Sequence, residues 1–140
     1  MCATENEAAV RRFYDELWNA WRLELVDELL AKRIWFRGSL GTVLEGRTEF
    51  RRYAETIRTA FPDWHNRIDE MLGADDRVAA RLTWTGTHLG RLRHLEPTGA
   101  SVEYVGAAFF RFSRGLIERA WVVGDTQELW RVLGRADEAR

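Results

Sequence analysis

The sequence predicts an α+β fold: N-terminal helices wrapped by a curved, cone-shaped mixed sheet whose strand pairs are mainly antiparallel. Three features lead there. Apolar residues recur at three- and four-residue steps through most of residues 5–61. After Pro62 the period drops to two and stays there up to Asp125. No helical segment separates the later strands, which argues against a doubly wound parallel sheet.

The elements follow in order. Residues 4–7, T-E-N-E, read as a capping box, and Val10, Phe13, Tyr14, Leu17, Trp18 and Trp21 form one apolar stripe behind it, so a helix is expected over about 5–21. A short helix carries Val26, Leu29 and Leu30. Residues 34–37 read as a short strand and 38–46 as a glycine-bearing loop or hairpin. Phe50, Tyr53, Ala54, Ile57 and Phe61 mark another helix, which Pro62 stops. Strands are expected at 64–72, 77–89, 102–113 and 116–124, with turns at 73–76, 90–99 and Arg114-Gly115. The last of these is short enough for a hairpin. Asp125 opens a final short helix with Leu129, Trp130 and Leu133, Gly134 serves as its stop, and 135–140 read as a frayed polar end. The expectation is one domain over residues 1–140, ordered from about 5 to 134.

Composition narrows the function. A chain of 140 residues with 46% hydrophobic and 31% charged residues reads as an ordinary soluble globular protein. A net charge of -1 with both signs interspersed offers no basic stripe for nucleic acid. There is no apolar run of about 18 residues for a membrane span. The first residues show neither a basic nor an apolar signal region, so the expected location is cytoplasmic. Cys2 is the lone cysteine, which leaves no internal disulfide and no cysteine zinc cluster. His65, His88 and His94 lack metal-ligand spacing, and Gly38-Ser39-Leu40-Gly41 resembles no phosphate loop or nucleophile elbow. Neither metal nor cofactor is expected. All basic residues but Lys32 are arginine, which fits GC-rich codon usage. Seven tryptophans suit a packed core, or a cone-shaped interior that takes a flat hydrophobic ligand.

Acid–base chemistry by isolated side chains remains. Asp125 ends an otherwise apolar strand, and alternation puts it on the same side as Trp121. A carboxylate beside Trp in an apolar cavity has a raised pKa and can exchange protons with carbon. The same Asp125 also suits the N-cap of the last helix, with Glu128 completing a box. His88 shares a face with Ala80, Leu82, Trp84 and Gly86, as a core, rim or pocket residue. His65 is compatible with a rim or the surface, and His94 sits in a basic loop. Tyr14 and Tyr53 lie on apolar helix faces, from which either can donate to an enolate oxygen. Arg111, in an aromatic run, needs a partner if it faces inward. Both faces of strands 102–113 and 116–124 carry apolar residues, more than one core needs, so a homodimer through the outer face of the sheet is expected.

Four motifs stand in a particular order: Phe61-Pro62-Asp63-Trp64 after a helix, Gly86-Thr87-His88-Leu89-Gly90 ending a strand, Pro97-Thr98-Gly99, and Phe110-Arg111-Phe112 followed by Gly115-Leu116-Ile117-Glu118, Trp121 and Asp125. Over about residues 5–134 the chain resembles the SnoaL-like polyketide (ester) cyclases of the cystatin-like, nuclear-transport-factor-2-like superfamily. The resemblance implies a cone-shaped α+β barrel with a deep apolar pocket, often dimeric. It implies a cofactor-free aldol-type closure of a hydrophobic polyketide-like carbonyl compound, with Asp125 as acid/base and His88 assisting. Trp121, Trp84, Tyr14, Tyr53, Phe61, Trp64, His65, Phe109 and Arg111 would line the substrate. The chain departs from the family at Arg91-Leu92-Arg93-His94-Leu95-Glu96, where a Gly and a second Pro are usual. It also departs at Arg111, in place of a polar His, and at Phe109, in place of a polar residue. Relatives include cofactor-independent hydroxylases and ketosteroid-type isomerases, and a noncatalytic small-molecule-binding domain of the same fold is a further alternative.

Overall fold

The computed structural model describes residues 2–138, with side chains described up to Gly134. The first helix, α1, runs Ala3–Arg12 and continues without a break into a π-helical segment, Phe13–Asn19. Helix α1 starts from Cys2 with no side-chain cap bond, so Thr4 lies inside the helix and the expected capping box is not formed. Two residues past the π segment Trp21, with a φ of 57°, reverses the chain where glycine is the usual residue. Short α2 (Leu25–Leu29) leads directly into β1 (Leu30–Arg37), so Leu30 belongs to the strand. Strand β2 (Val43–Glu45) makes the 38–46 segment a hairpin, and α3 spans Arg47–Ala60, ending ahead of Pro62 as expected.

The period-two region forms β3 (His65–Ala74), β4 (Arg77–Thr87), β5 (Ser101–Ser113) and β6 (Leu116–Gly124). Arg114 and Gly115, with φ of 54° and 79°, make the two-residue turn of a β5–β6 hairpin. The six strands are ordered β2-β1-β6-β5-β4-β3. Every pairing is antiparallel except β1 with β6. The curved sheet stays open between β2 and β3 rather than closing into a barrel. Helix α4 runs Thr126–Glu138, so Gly134 does not stop it and the backbone of 135–138 is helical; residues 139–140 lie outside the described residues.

The core lies between the inner face of the sheet and the N-terminal helices. Alternate residues of β4 (Val78, Ala80, Leu82, Trp84), β5 (Tyr104, Ala108, Phe110) and β6 (Ala120, Val122) are buried against Phe13, Leu17, Phe50 and Ala54. Among the described residues no helix is long and apolar enough to cross a membrane.

Candidate functional site

An interior cavity between the sheet and the helices is lined from four directions. The sheet contributes Trp84 and Tyr104, which face each other across the β4–β5 ladder, and Val122. The π segment contributes Tyr14 and Trp18, and α3 contributes Tyr53 and Ile57. The end of β1 adds Phe36, Gly38 and Ser39, and the start of β3 adds Trp64 and Asn66. Asn66 is fixed by Asn19, whose Oδ1 accepts from the Asn66 N–H at 2.8 Å and whose Nδ2 donates to the Asn66 carbonyl at 2.8 Å.

Aromatic rings fill most of this space. Trp84 and Tyr104 stand 5.0 Å apart, Trp64 and Tyr104 6.0 Å, and Phe36 and Tyr53 5.3 Å between ring centroids. Three glycines give the rings room. A Cβ on Gly106 would overlap the Trp84 indole, one on Gly124 would lie 2.9 Å from it, and one on Gly38 would lie 2.6 Å from Tyr53 Cζ. A cavity of about 30 Å³ remains, space for one or two waters and far below the 300 Å³ or so of a small-molecule pocket.

All three tyrosines of the chain meet here. Burial raises the Tyr14 phenol above its ordinary range, and neighbouring Tyr53 adds to that. Burial likewise raises Tyr53, reinforced by Tyr104 and opposed by Arg93. Tyr104 is pushed up to about 12 by burial, against a hydrogen bond with Ser39 Oγ at 3.0 Å. The cluster is therefore a set of neutral O–H donors and not of bases. No carboxylate or imidazole is among the described residues that line the cavity.

The residues singled out from the sequence separate into three groups. Tyr14, Tyr53, Trp64 and Trp84 line the interior cavity together. Phe61 and His88 are buried behind the wall, with ring centroids 5.5 Å apart. The His88 ring holds the 88–100 loop: Thr98 N–H donates to Nδ1 at 3.2 Å, and Thr98 Oγ1 lies 3.0 Å from the same nitrogen. Accepting from the Thr98 N–H uses the Nδ1 lone pair. Trp121, Phe109, Arg111 and Asp125 lie on the outer side, and His65 is exposed on β3.

Asp125 corrects the expectation of a desolvated carboxylate. It shares a side with Trp121, but that side is the outer one, and Val122 is the β6 residue turned to the cavity. Its exposed Oδ1 accepts from the Glu128 N–H at 3.3 Å, an N-cap on α4. The box is only half made, because the Asp125 N–H donates to the Val105 carbonyl and the Glu128 carboxylate accepts from Arg131. Arg111 has Glu118 at 3.6 Å as its partner and does not face the core. With Leu72, Ala79, Phe109, Trp121, Arg77 and Arg119 it borders an outer concavity of about 370 Å³.

Tyr104, Ser39, Trp18 and Asn66 are lining residues that the sequence reading missed. Tyr104 carried a usable signal, since alternation along β5 places it in phase with buried Val102 and Ala108.

The model of the SnoaL-like polyketide cyclase family matches residues 8–133. No curated protein sequence gives a significant match. Among solved structures, AclR of Streptomyces galilaeus, provisionally designated a hydroxylase, is 26% identical with a TM-score of 0.82, covering 95% of this chain and 83% of its own. A protein of Jannaschia sp. CCS1, provisionally designated a SnoaL-like polyketide cyclase, is 18% identical with a TM-score of 0.88, covering 94% of this chain and 93% of its own. IdmH of Streptomyces antibioticus, provisionally designated a polyketide cyclase, is 22% identical with a TM-score of 0.79, covering 92% of this chain and 98% of its own.

Proposed function

The chain belongs to the SnoaL-like polyketide cyclase family, and on that premise we propose that its interior cavity takes a small, hydrophobic, polyketide-like carbonyl compound whose carbonyl oxygen is held by Tyr14, Tyr53 and Tyr104. The observation that carries this reading is the convergence of every tyrosine in the chain on one aromatic-walled cavity, each phenol kept protonated by burial. Aromatic walls suit a flat ligand, and rearrangement of their rings supplies the volume.

Donors of this kind stabilise the oxygen of an enol or a new alkoxide. In an aldol-type closure the substrate binds as its enol tautomer, formed in water by moving an α C–H proton to oxygen; the enol carbon attacks a second carbonyl carbon, one C–C bond forms, and the π bond of that carbonyl breaks to leave an alkoxide. A phenol gives its proton to the new alkoxide, and the proton leaving the enol oxygen returns to that phenolate, so the tyrosine is regenerated. No carboxylate step is needed, and Asp125 keeps its place as a helix cap. A second reading, binding without chemistry, is favoured by the lack of a carboxylate or imidazole among the described lining residues.

The test is twofold. A neutral aromatic ketone, 2-acetylnaphthalene, should quench tryptophan fluorescence saturably, and Tyr104→Phe should weaken its binding. With a linear aromatic diketone as substrate, removal of one donor should slow closure about 10²–10³-fold. Saturable binding with no acceleration of closure would favour the second reading, and no binding would refute both.

The same proposal includes a homodimer through the outer face of the sheet and a cytoplasmic location. Phe109 and Val105 are about half exposed there, at 51% and 49%, beside Trp121 and Val123. A single free cysteine, Cys2, fits a reducing compartment. Sedimentation at micromolar concentration should give twice the chain mass, and a purely monomeric species would count against the dimer.

A further inference from the structure

We infer that a surface vestibule beside the interior cavity is a second ligand subsite that reads a carboxylate, with Tyr53 as the partition between the two. This rests on the reading that the hydrophobic part of the ligand lies in the interior cavity. The vestibule holds about 270 Å³ between the β1–β2 hairpin, α3 and the 91–95 loop. It shares Tyr53 and Ile57 with the interior cavity, so these two side chains form the wall between the spaces. The Tyr53 ring is seated on Gly38, where a Cβ would lie 2.6 Å from Cζ. Turning the partly buried Tyr53 ring off this seat joins the two spaces, and together they reach the size of a small-molecule pocket, about 300 Å³.

Among the described residues the charges of the vestibule leave one cation, Arg93, without a carboxylate. Glu49 and Arg52 pair at 2.7 Å. On the adjoining loop Arg91 pairs with Glu96. Arg93 donates from Nη2 to the Leu40 carbonyl at 3.0 Å, and its guanidinium lies 5.9 Å from the Trp130 ring centroid. Among the described residues no carboxylate pairs with Arg93. Its backbone sits at φ 54°, in the left-handed region that arginine rarely adopts. Reciprocal Leu92–Leu95 backbone bonds of 3.0 and 2.9 Å hold that turn, and fully buried Leu92 anchors it. The unused guanidinium N–H groups match a carboxylate. The ligand class is therefore an aromatic or polyketide-like acid, with its carboxylate at Arg93 and its carbonyl at the phenols.

The experiment compares 2-naphthoate with neutral 2-acetylnaphthalene by calorimetry on the full chain, with folding followed by circular dichroism. The native protein should bind naphthoate more tightly, on the order of ten- to a hundredfold. Arg93→Met should abolish that preference while leaving the ketone affinity unchanged, and Arg93→Lys should restore part of it. Gly38→Ala, whose Cβ unseats Tyr53, should speed naphthoate association in stopped-flow fluorescence. If both probes bind equally, or if Arg93→Met leaves the preference intact, the carboxylate subsite is overturned and the interior reading stands. An unchanged association rate in folded Gly38→Ala overturns the partition. If neither probe binds, both readings fall together.

Discussion

Replacing Asp125 separates the two roles this residue could have. In the structure its carboxylate is exposed and makes one local bond, from the Glu128 N–H at 3.3 Å, which the Asp125 carbonyl shares at 3.2 Å. Loss of an N-cap to alanine costs about 0.5–2 kcal/mol. Because this bond is long and shared, the lower half of that range applies, roughly 0.5–1 kcal/mol. A negative charge on the first turn of α4 adds a few tenths of a kcal/mol through the helix dipole, about 0.3 at full solvent exposure. For a chain of this length Asp125→Ala should lower Tm by about 2–5 °C. Asp125→Asn keeps the capping oxygen and loses only the charge, so its Tm should fall by about 1 °C or less. The assay is thermal unfolding by circular dichroism beside turnover of the diketone substrate, and neither variant should change turnover by more than about twofold. A folded Asp125→Asn protein that has lost activity by about 10² or more, the scale of a missing acid–base group, would refute this placement and restore the carboxylate to the chemistry.

Three other outcomes follow from the same structure. The native protein should show no tyrosinate absorbance near pH 10, because burial raises all three phenols. The folded state then holds these protons more tightly than the unfolded chain, so stability should fall as pH rises past about 10; an ultraviolet titration with free titration at pH 10 would contradict it. Burial acts to raise the Asp63 carboxyl, but the Thr87 N–H and O–H, each 2.7 Å from a carboxylate oxygen, outweigh it and hold the group below its ordinary value. That contribution is complete above the unfolded value of about 3.9 and is lost as pH falls through the depressed native one. Thr87→Val should therefore move the acid-unfolding midpoint upward, and an unmoved midpoint would count against the assignment. Gly106→Ala should destabilise by about 1–3 kcal/mol in urea, since its Cβ would overlap the Val123 carbonyl and the Trp84 ring; native-like stability would show that the ring has somewhere else to go.

Much of the fold was legible because periodicity reports burial. The change of period at Pro62 marks the end of the helical half, and the predicted strand 116–124 coincides with β6. The two-residue turn was readable from Arg114-Gly115, since glycine accepts a positive φ at the second position. Alternation also correctly placed Trp121 and Asp125 on one side. It could not say which side, because β5 and β6 are apolar on both faces: Phe109 and Trp121 point out, while Phe110 and Val122 point in. A pattern that is apolar everywhere fixes phase only relative to itself. The cap–box ambiguity at Asp125 and Glu128 had the same root, since a strand end and a helix start coincide there. The π segment was invisible because its apolar steps, Phe13, Tyr14, Leu17 and Trp18, also satisfy an ordinary helix.

The single parallel pairing, β1 with β6, has a consequence for how the chain folds. Strands β3 to β6 form a meander in which each pairs with its sequence neighbour, whereas Leu30 must find Ile117 across most of the chain. Closing so large a loop is entropically costly and is repaid only after β6 exists. The meander is therefore expected to form first, and the helices and β1 to dock on it last. During synthesis on a ribosome the N-terminal third would emerge with its partner strand not yet made, and its apolar stripe would stay exposed until the C-terminal strand arrived. Substitutions that weaken the β5–β6 turn should then slow refolding, whereas those at the β1–β6 seam should chiefly speed unfolding.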